Sequence, residues 1–167
     1  MERQVREHLL AVANRTFMSV MEVLRLNKIY APLLTGREGV CYAVLNLNTG
    51  QMEFAEAIGV RIAPEKEKKY LTLAQEKAYR LFRNIKKGHL TSLESVNKEC
   101  NMWGGAVKGE KYIHSVSGLP DVCVSGLLDS VMAISIAAAV QDVGGRIAGI
   151  EVVIRDSHLR LQYTLPQ

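Results

Sequence analysis

Helical stripes alternating with pairs of short β-prone runs predict an α+β fold, a central antiparallel sheet flanked by helices. Two observations carry this expectation. Three stretches are rich in apolar residues with helical spacing or helical length, as helices packed on a core require. Between and after them come runs of β-branched, aromatic or alternating residues interrupted by Gly, Asn and Asp, as hairpins require. The order helix, hairpin, helix, hairpin, helix, hairpin sets helices on an antiparallel sheet and does not make a parallel βαβ series. With 167 residues, 48% of them hydrophobic, the chain is expected to form a single domain, 1–167, around one continuous core.

The first predicted helix occupies residues 1–27, with Val5, Leu9, Val12, Ala13, Phe17, Val20 and Leu24 as its stripe. After a Gly36-Arg37-Glu38-Gly39 turn, residues 40–45 are a mostly apolar run; Asn48-Thr49-Gly50 tolerates a tight turn, and residues 51–57 return as the second strand of a hairpin. Pro64 and the charged run after it read as a solvated loop. Thr72 followed by Gln75 has capping-box spacing, so a second helix is expected to start there and to run past Leu81, Phe82 and Ile85 to Lys87 and Gly88. Ala106 and Val107 are separated from residues 112–116 by a glycine-containing turn, a second hairpin. A third helix is expected from about Ser125 or Leu127 through Val140; its residues 131–140 are apolar nearly all round, which predicts burial on more than one side, and Gly144 and Gly145 stop it. Residues 150–154, and Leu159, Leu161, Tyr163 and Leu165 alternating with polar residues, predict a C-terminal β-hairpin extension over 146–167.

Composition narrows the functional classes. Charged residues are 23% of the chain, and no apolar run reaches the roughly 20 residues of a membrane-spanning helix, so no membrane partner is expected. The mixed-charge start does not read as a secretory signal, and the cytoplasm is the expected location. Cys41, Cys100 and Cys123 form no CxxC pair and are too few for a disulfide framework, which points to reduced thiols. The net charge of +4 comes from cations interleaved with acids, as in Glu65-Lys66-Glu67-Lys68-Lys69, and not from a basic stripe, so nucleic acid is not the expected partner. Nor does the chain hold a GxSxG elbow, an HExxH pair, a P-loop or a dinucleotide fingerprint.

Several short segments, in order, resemble the haem-binding HbpS/GlcG-like family, related also to the C-terminal domain of PduO-type proteins. They are the apolar strand and polar turn over residues 39–50, Lys77-Ala78-Tyr79 within a helix, His89-Leu90-Thr91-Ser92-Leu93, and Gly104-Gly105 ahead of a hairpin that closes in Val116-Ser117-Gly118. The similarity covers residues 40–140. It implies a profilin-like layout, self-association into homo-oligomers, and a ligand that in some members is haem.

Haem iron takes an imidazole, thiolate, thioether or phenolate donor within an apolar pocket. His89, just past the second helix and beside Thr91, is therefore the candidate iron ligand, and His114 on a predicted strand is the alternative. Lys77 could meet a propionate and Tyr79 could line the pocket, with Gly104, Gly105, Ser117 and Gly118 providing backbone close to the ligand. The expected function is small-ligand binding, haem or another tetrapyrrole being favoured, between the second helix with its loop and the second hairpin. Two alternatives stand beside it: an enzyme acting on a small metabolite through Gly104, Ser117, Asp121 and Asp129, and a non-catalytic oligomeric module built by the third helix and the terminal hairpin.

Overall fold

An eight-residue run, Gly39–Asn46 (β1), forms the middle of the sheet because nearly every side chain in it is apolar and small enough to be covered on both faces. The computed structural model describes residues 1–121 and 125–142; the predicted hairpin over 146–167 lies outside them. Within these residues, Arg3–Leu26 (α1) is followed by β1, Met52–Gly59 (β2), Pro64–Asn84 (α2), Ala106–Lys108 (β3), Tyr112–Ser117 (β4) and Leu127–Ala139 (α3). The sheet order is β2-β1-β4-β3, and every neighbouring pair is antiparallel. The architecture is α+β, as its sequence predicts.

Alternation along β1 sorts the core into two layers. Val40, Tyr42 and Val44 join Leu9, Ala13, Phe17 and Met21 of α1 and Met132, Ala133 and Ile136 of α3. On the opposite face Cys41, Ala43 and Leu45 meet α2, where Ala74 and Ala78 let the helix backbone come close to the strands. The all-round apolar α3 is thus explained: it packs on β3, β4 and α1 at once. Val5, expected in the α1 stripe, is exposed instead, one turn before the helix meets the core at Leu9.

The second helix begins eight residues earlier than its capping-box spacing suggests. Pro64 stands in the first turn, where its missing N–H is no loss, and Glu65 and Glu67 favour the positive end of the helix dipole. Thr72 is mid-helix, its hydroxyl donating to the Lys68 carbonyl at 2.9 Å. The reach-back of a capping box occurs downstream, where the Glu94 carboxylate accepts the amides of Thr91 (2.8 Å) and Leu90 (2.6 Å). Among the described residues no helix is long and apolar enough to cross a membrane.

At the entry to α3 the chain passes Gly104 so closely that a methyl group on Gly126 (φ 78°) would sit 2.3–2.5 Å from Gly104 backbone atoms. Gly126→Ala combines a left-handed backbone with this clash and is expected to cost about 2 kcal/mol or more. A urea-denaturation midpoint within error of the wild type would contradict this account.

Candidate functional site

Lys77 points from α2 into the protein and is 1% exposed. Its ammonium donates to the Asp129 carboxylate at 2.8 Å and to the Val116 carbonyl at 2.9 Å. The other Asp129 oxygen accepts the Leu119 amide at 2.9 Å, so the carboxylate is held by two chain segments besides its own helix. Gly105, with φ 130°, makes this possible: a Cβ there would lie 2.8 Å from the Lys77 nitrogen and 2.5 Å from the Val116 oxygen. Burial pushes the Asp129 carboxyl above its usual range, opposed by Lys77 and the Leu119 amide. Lys77, Gly105, Ser117, Gly118 and Asp129, scattered in sequence, therefore meet at one place. Lys77 is an internal partner there and not a surface cation.

The residues after α2 have a different organiser, Arg80. This buried guanidinium donates to Glu76 (2.7 Å), to the carbonyls of Ser92 (3.1 Å) and Ser95 (2.8 Å), and to the Trp103 carbonyl. It thereby staples the loop carrying His89 and Thr91. His89 is half-buried, with Nδ1 shielded and without a hydrogen-bond partner among the described residues, while Thr91 is fully buried beside Val107. Tyr79, one position from Arg80, lies on the outer face of α2 and is exposed. Gly104 is a packing position: a Cβ would meet Leu93 at 2.3 Å.

His114 belongs to a third cluster, on the α1/α3 face. Its Nδ1 lies 2.7 Å from the Tyr42 hydroxyl and its Nε2 2.8 Å from Asp142 Oδ2. Asp142 also accepts the amides of Glu110, Lys111 and Tyr112 across the β3–β4 turn. Burial alone would raise its carboxyl, but the hydrogen bonds from His114 and the two amides of Lys111 and Tyr112 outweigh it and hold the group below its usual range. Asp142 Oδ2 pairs with Nε2 and the Tyr42 hydroxyl with Nδ1, and burial pushes the Tyr42 phenol well upward. Both ring nitrogens are committed, and the imidazole has no lone pair for iron. Its role here is to tie β4 and β1 to the end of α3.

Two concavities bear on binding. One, of about 270 Å³, opens beside the Lys77–Asp129 pair and is lined also by Arg37, Lys69, Tyr70, Ser117 and Gly118. The other, of about 600 Å³, lies between the end of α2 and the β3–β4 turn. Its floor is Leu47, Phe82 and Ile85, and its rim Arg83, Lys86, Lys108 and Glu110. His89, His114 and Tyr79 line neither. The buried Cys41 thiol, pushed up to about 12 by burial and by the charges of Glu67 and Asp129, is held neutral and unreactive. Among the described residues no three His, Cys, Asp or Glu side chains cluster to hold a metal ion. Asp129 has both oxygens engaged, whereas the exposed Asp121 accepts the Gly126 amide at 2.9 Å on one oxygen.

Compared with known families, with curated proteins and with solved structures, the chain matches none. The functional reading therefore rests on its own residues. Sequence inspection had no signal for Arg37, Arg80 or Asp142: Arg37 and Asp142 act on partners 28 or more positions away, and Arg80, besides its i,i+4 partner Glu76, on carbonyls 12 or more positions away. The rim cations Arg83 and Lys86 stand at the C-terminal end of α2, where basic residues suit the helix dipole whatever else they do.

Breaking the buried pair should be costlier than replacing it. Lys77→Met or Asp129→Leu alone is expected to lose about 3–5 kcal/mol, and the double variant to recover most of that. Additive losses in urea denaturation would refute a coupled pair. For Asp142, the folded carboxyl titrates below its unfolded value, so its contribution is full above about 3.8 and is lost as the pH falls below it. Asp142→Asn should thus be less stable at pH 7 by about 1–3 kcal/mol, and the gap should narrow toward pH 3. A pH-independent gap would remove the charge from the explanation.

Proposed function

We propose that the chain is a small-ligand-binding protein, in keeping with its resemblance to the HbpS/GlcG-like family, and that the ligand is an apolar molecule bearing carboxylates, a tetrapyrrole being the favoured class. The observation that carries this reading is the groove between α2 and the β3–β4 turn. Its floor of Leu47, Phe82 and Ile85 is continuous with buried Leu45, Ala78, Leu81 and Ile113. Above it stand three cations, Arg83, Lys86 and Lys108, none in an ion pair among the described residues, against one acid, Glu110. Apolar walls with a few convergent charges are the usual makeup of a ligand site, and about 600 Å³ falls within the usual range of about 300–1,000 Å³.

Haem fits this groove in part. The three cations suit its propionates and the floor suits the macrocycle, but no histidine, cysteine, methionine or tyrosine lines the groove to ligate iron. The protein then recognises the organic skeleton and carboxylates, and iron contributes nothing to affinity. Self-association, implied by the same resemblance, belongs to the proposal as well; it is supported by the exposed apolar Val23, Leu26 and Ile29 around the end of α1.

Titration with haemin and with metal-free protoporphyrin IX, followed by absorption and by fluorescence quenching, tests the reading. Both should bind saturably with similar affinity, about tenfold or more weaker in Lys86→Glu/Lys108→Glu and unchanged in His89→Ala. Absence of saturable binding would overturn it. Binding confined to haemin and lost in His89→Ala would replace it with axial ligation by that histidine.

A further inference from the structure

The smaller cleft carries a separate function. We infer that the depression beside the Lys77–Asp129 pair binds a small anion, a carboxylate or phosphate, gripped by Arg37. Its charges do not balance internally. Asp129 is consumed by Lys77 and the Leu119 amide, and the exposed Asp121 gives one oxygen to the Gly126 amide, which leaves it as the one carboxylate of the lining set against the two cations Arg37 and Lys69. Of the cations, Lys77 is spent on Asp129 and the Val116 carbonyl, whereas Lys69 has no ion-pair partner among the described residues.

Arg37 is the most telling residue. Among the described residues only one of its guanidinium nitrogens, Nη1, is engaged, on two neutral acceptors: the Tyr70 hydroxyl at 2.6 Å and the Gly118 carbonyl at 3.2 Å. No carboxylate neutralises it among the described residues, although Arg61 close by in the fold is paired with Glu38. Two bonds from one nitrogen fix the plane of the guanidinium while its Nε and Nη2 donors stay available. That is a preorganised fork, the geometry that takes a carboxylate or phosphate through two parallel hydrogen bonds. The Gly118 backbone, at φ 134°, brings its carbonyl to Arg37 beneath Tyr70.

Size sets the class of ligand. At about 270 Å³ the cleft is less than half the volume of the apolar groove, and its lining mixes charged side chains with Leu73, Trp103 and Leu119. It suits a molecule of a few carbons or an inorganic anion, and neither a tetrapyrrole nor a nucleotide base. It shares no lining residue with the groove, so each site stands or falls alone.

Isothermal titration of the full chain at low ionic strength, with succinate and with inorganic phosphate as probes, tests this. At least one probe should bind saturably, and the one that binds identifies the acid group. Affinity should fall about tenfold or more in Arg37→Gln, less in Arg37→Lys, which keeps the charge without the fork, and not at all in Arg83→Gln of the groove. Lys69→Gln, on an exposed residue, should weaken binding too and serves as the test if Arg37→Gln does not fold. No saturable heat with either probe, or equal weakening in Arg37→Gln and Arg83→Gln, would overturn the site.

Discussion

Two unlike charges buried together need more than each other. The Lys77 ammonium and Asp129 carboxylate give up several kcal/mol of hydration each, which their mutual attraction offsets only when the remaining hydrogen-bonding capacity is also met. Here the Val116 carbonyl and the Leu119 amide meet much of it, and both lie on the segment where β4 turns toward α3. The pair therefore ties α2, on one face of the sheet, to α3, on the other, through the end of a central strand. Gly105 is part of the arrangement, because any side chain there would occupy the place of the ammonium.

The other buried polar groups follow the same logic at other edges. Arg80 gathers carbonyls from Ser92, Ser95 and Trp103, which a loop of little secondary structure would otherwise bury unsatisfied. Asp142 gathers the amides of the β3–β4 turn and pairs with the His114 ring, which in turn holds the Tyr42 hydroxyl. Each network joins elements distant in sequence and is satisfied nearly throughout, the condition under which buried polarity specifies one arrangement. These side chains have the composition of catalytic groups and the geometry of structural ones.

The cavities lie where those networks leave chemistry unspent. At the groove, Arg83, Lys86 and Lys108 crown an apolar floor without carboxylate partners among the described residues. In the cleft, Arg37 is oriented by neutral acceptors and has no carboxylate partner among the described residues. The proposed ligands, an apolar carboxylate in the first and a small anion in the second, differ because of what lies beneath the cations: Phe82 and Ile85 in one case, the Lys77–Asp129 pair in the other.

Local periodicity was enough to read the helices, the two described hairpins and the α+β class. The stripe of Leu9, Val12, Ala13 and Phe17, the apolar run of β1 and the turn at Asn48-Thr49-Gly50 are each decided by neighbours within a few residues. The start of α2 was misread because Pro64 serves a helix as well as a loop, and its position alone does not tell which. Pairing was beyond reach for the same kind of reason. Lys77 and Asp129 are 52 positions apart and Tyr42 and His114 are 72 apart, and a lysine on an amphipathic helix carries no mark of whether it will meet water or a carboxylate. Which polar side chains become interior partners, and which are left free for a ligand, is decided only when strand order and helix placement bring the segments together.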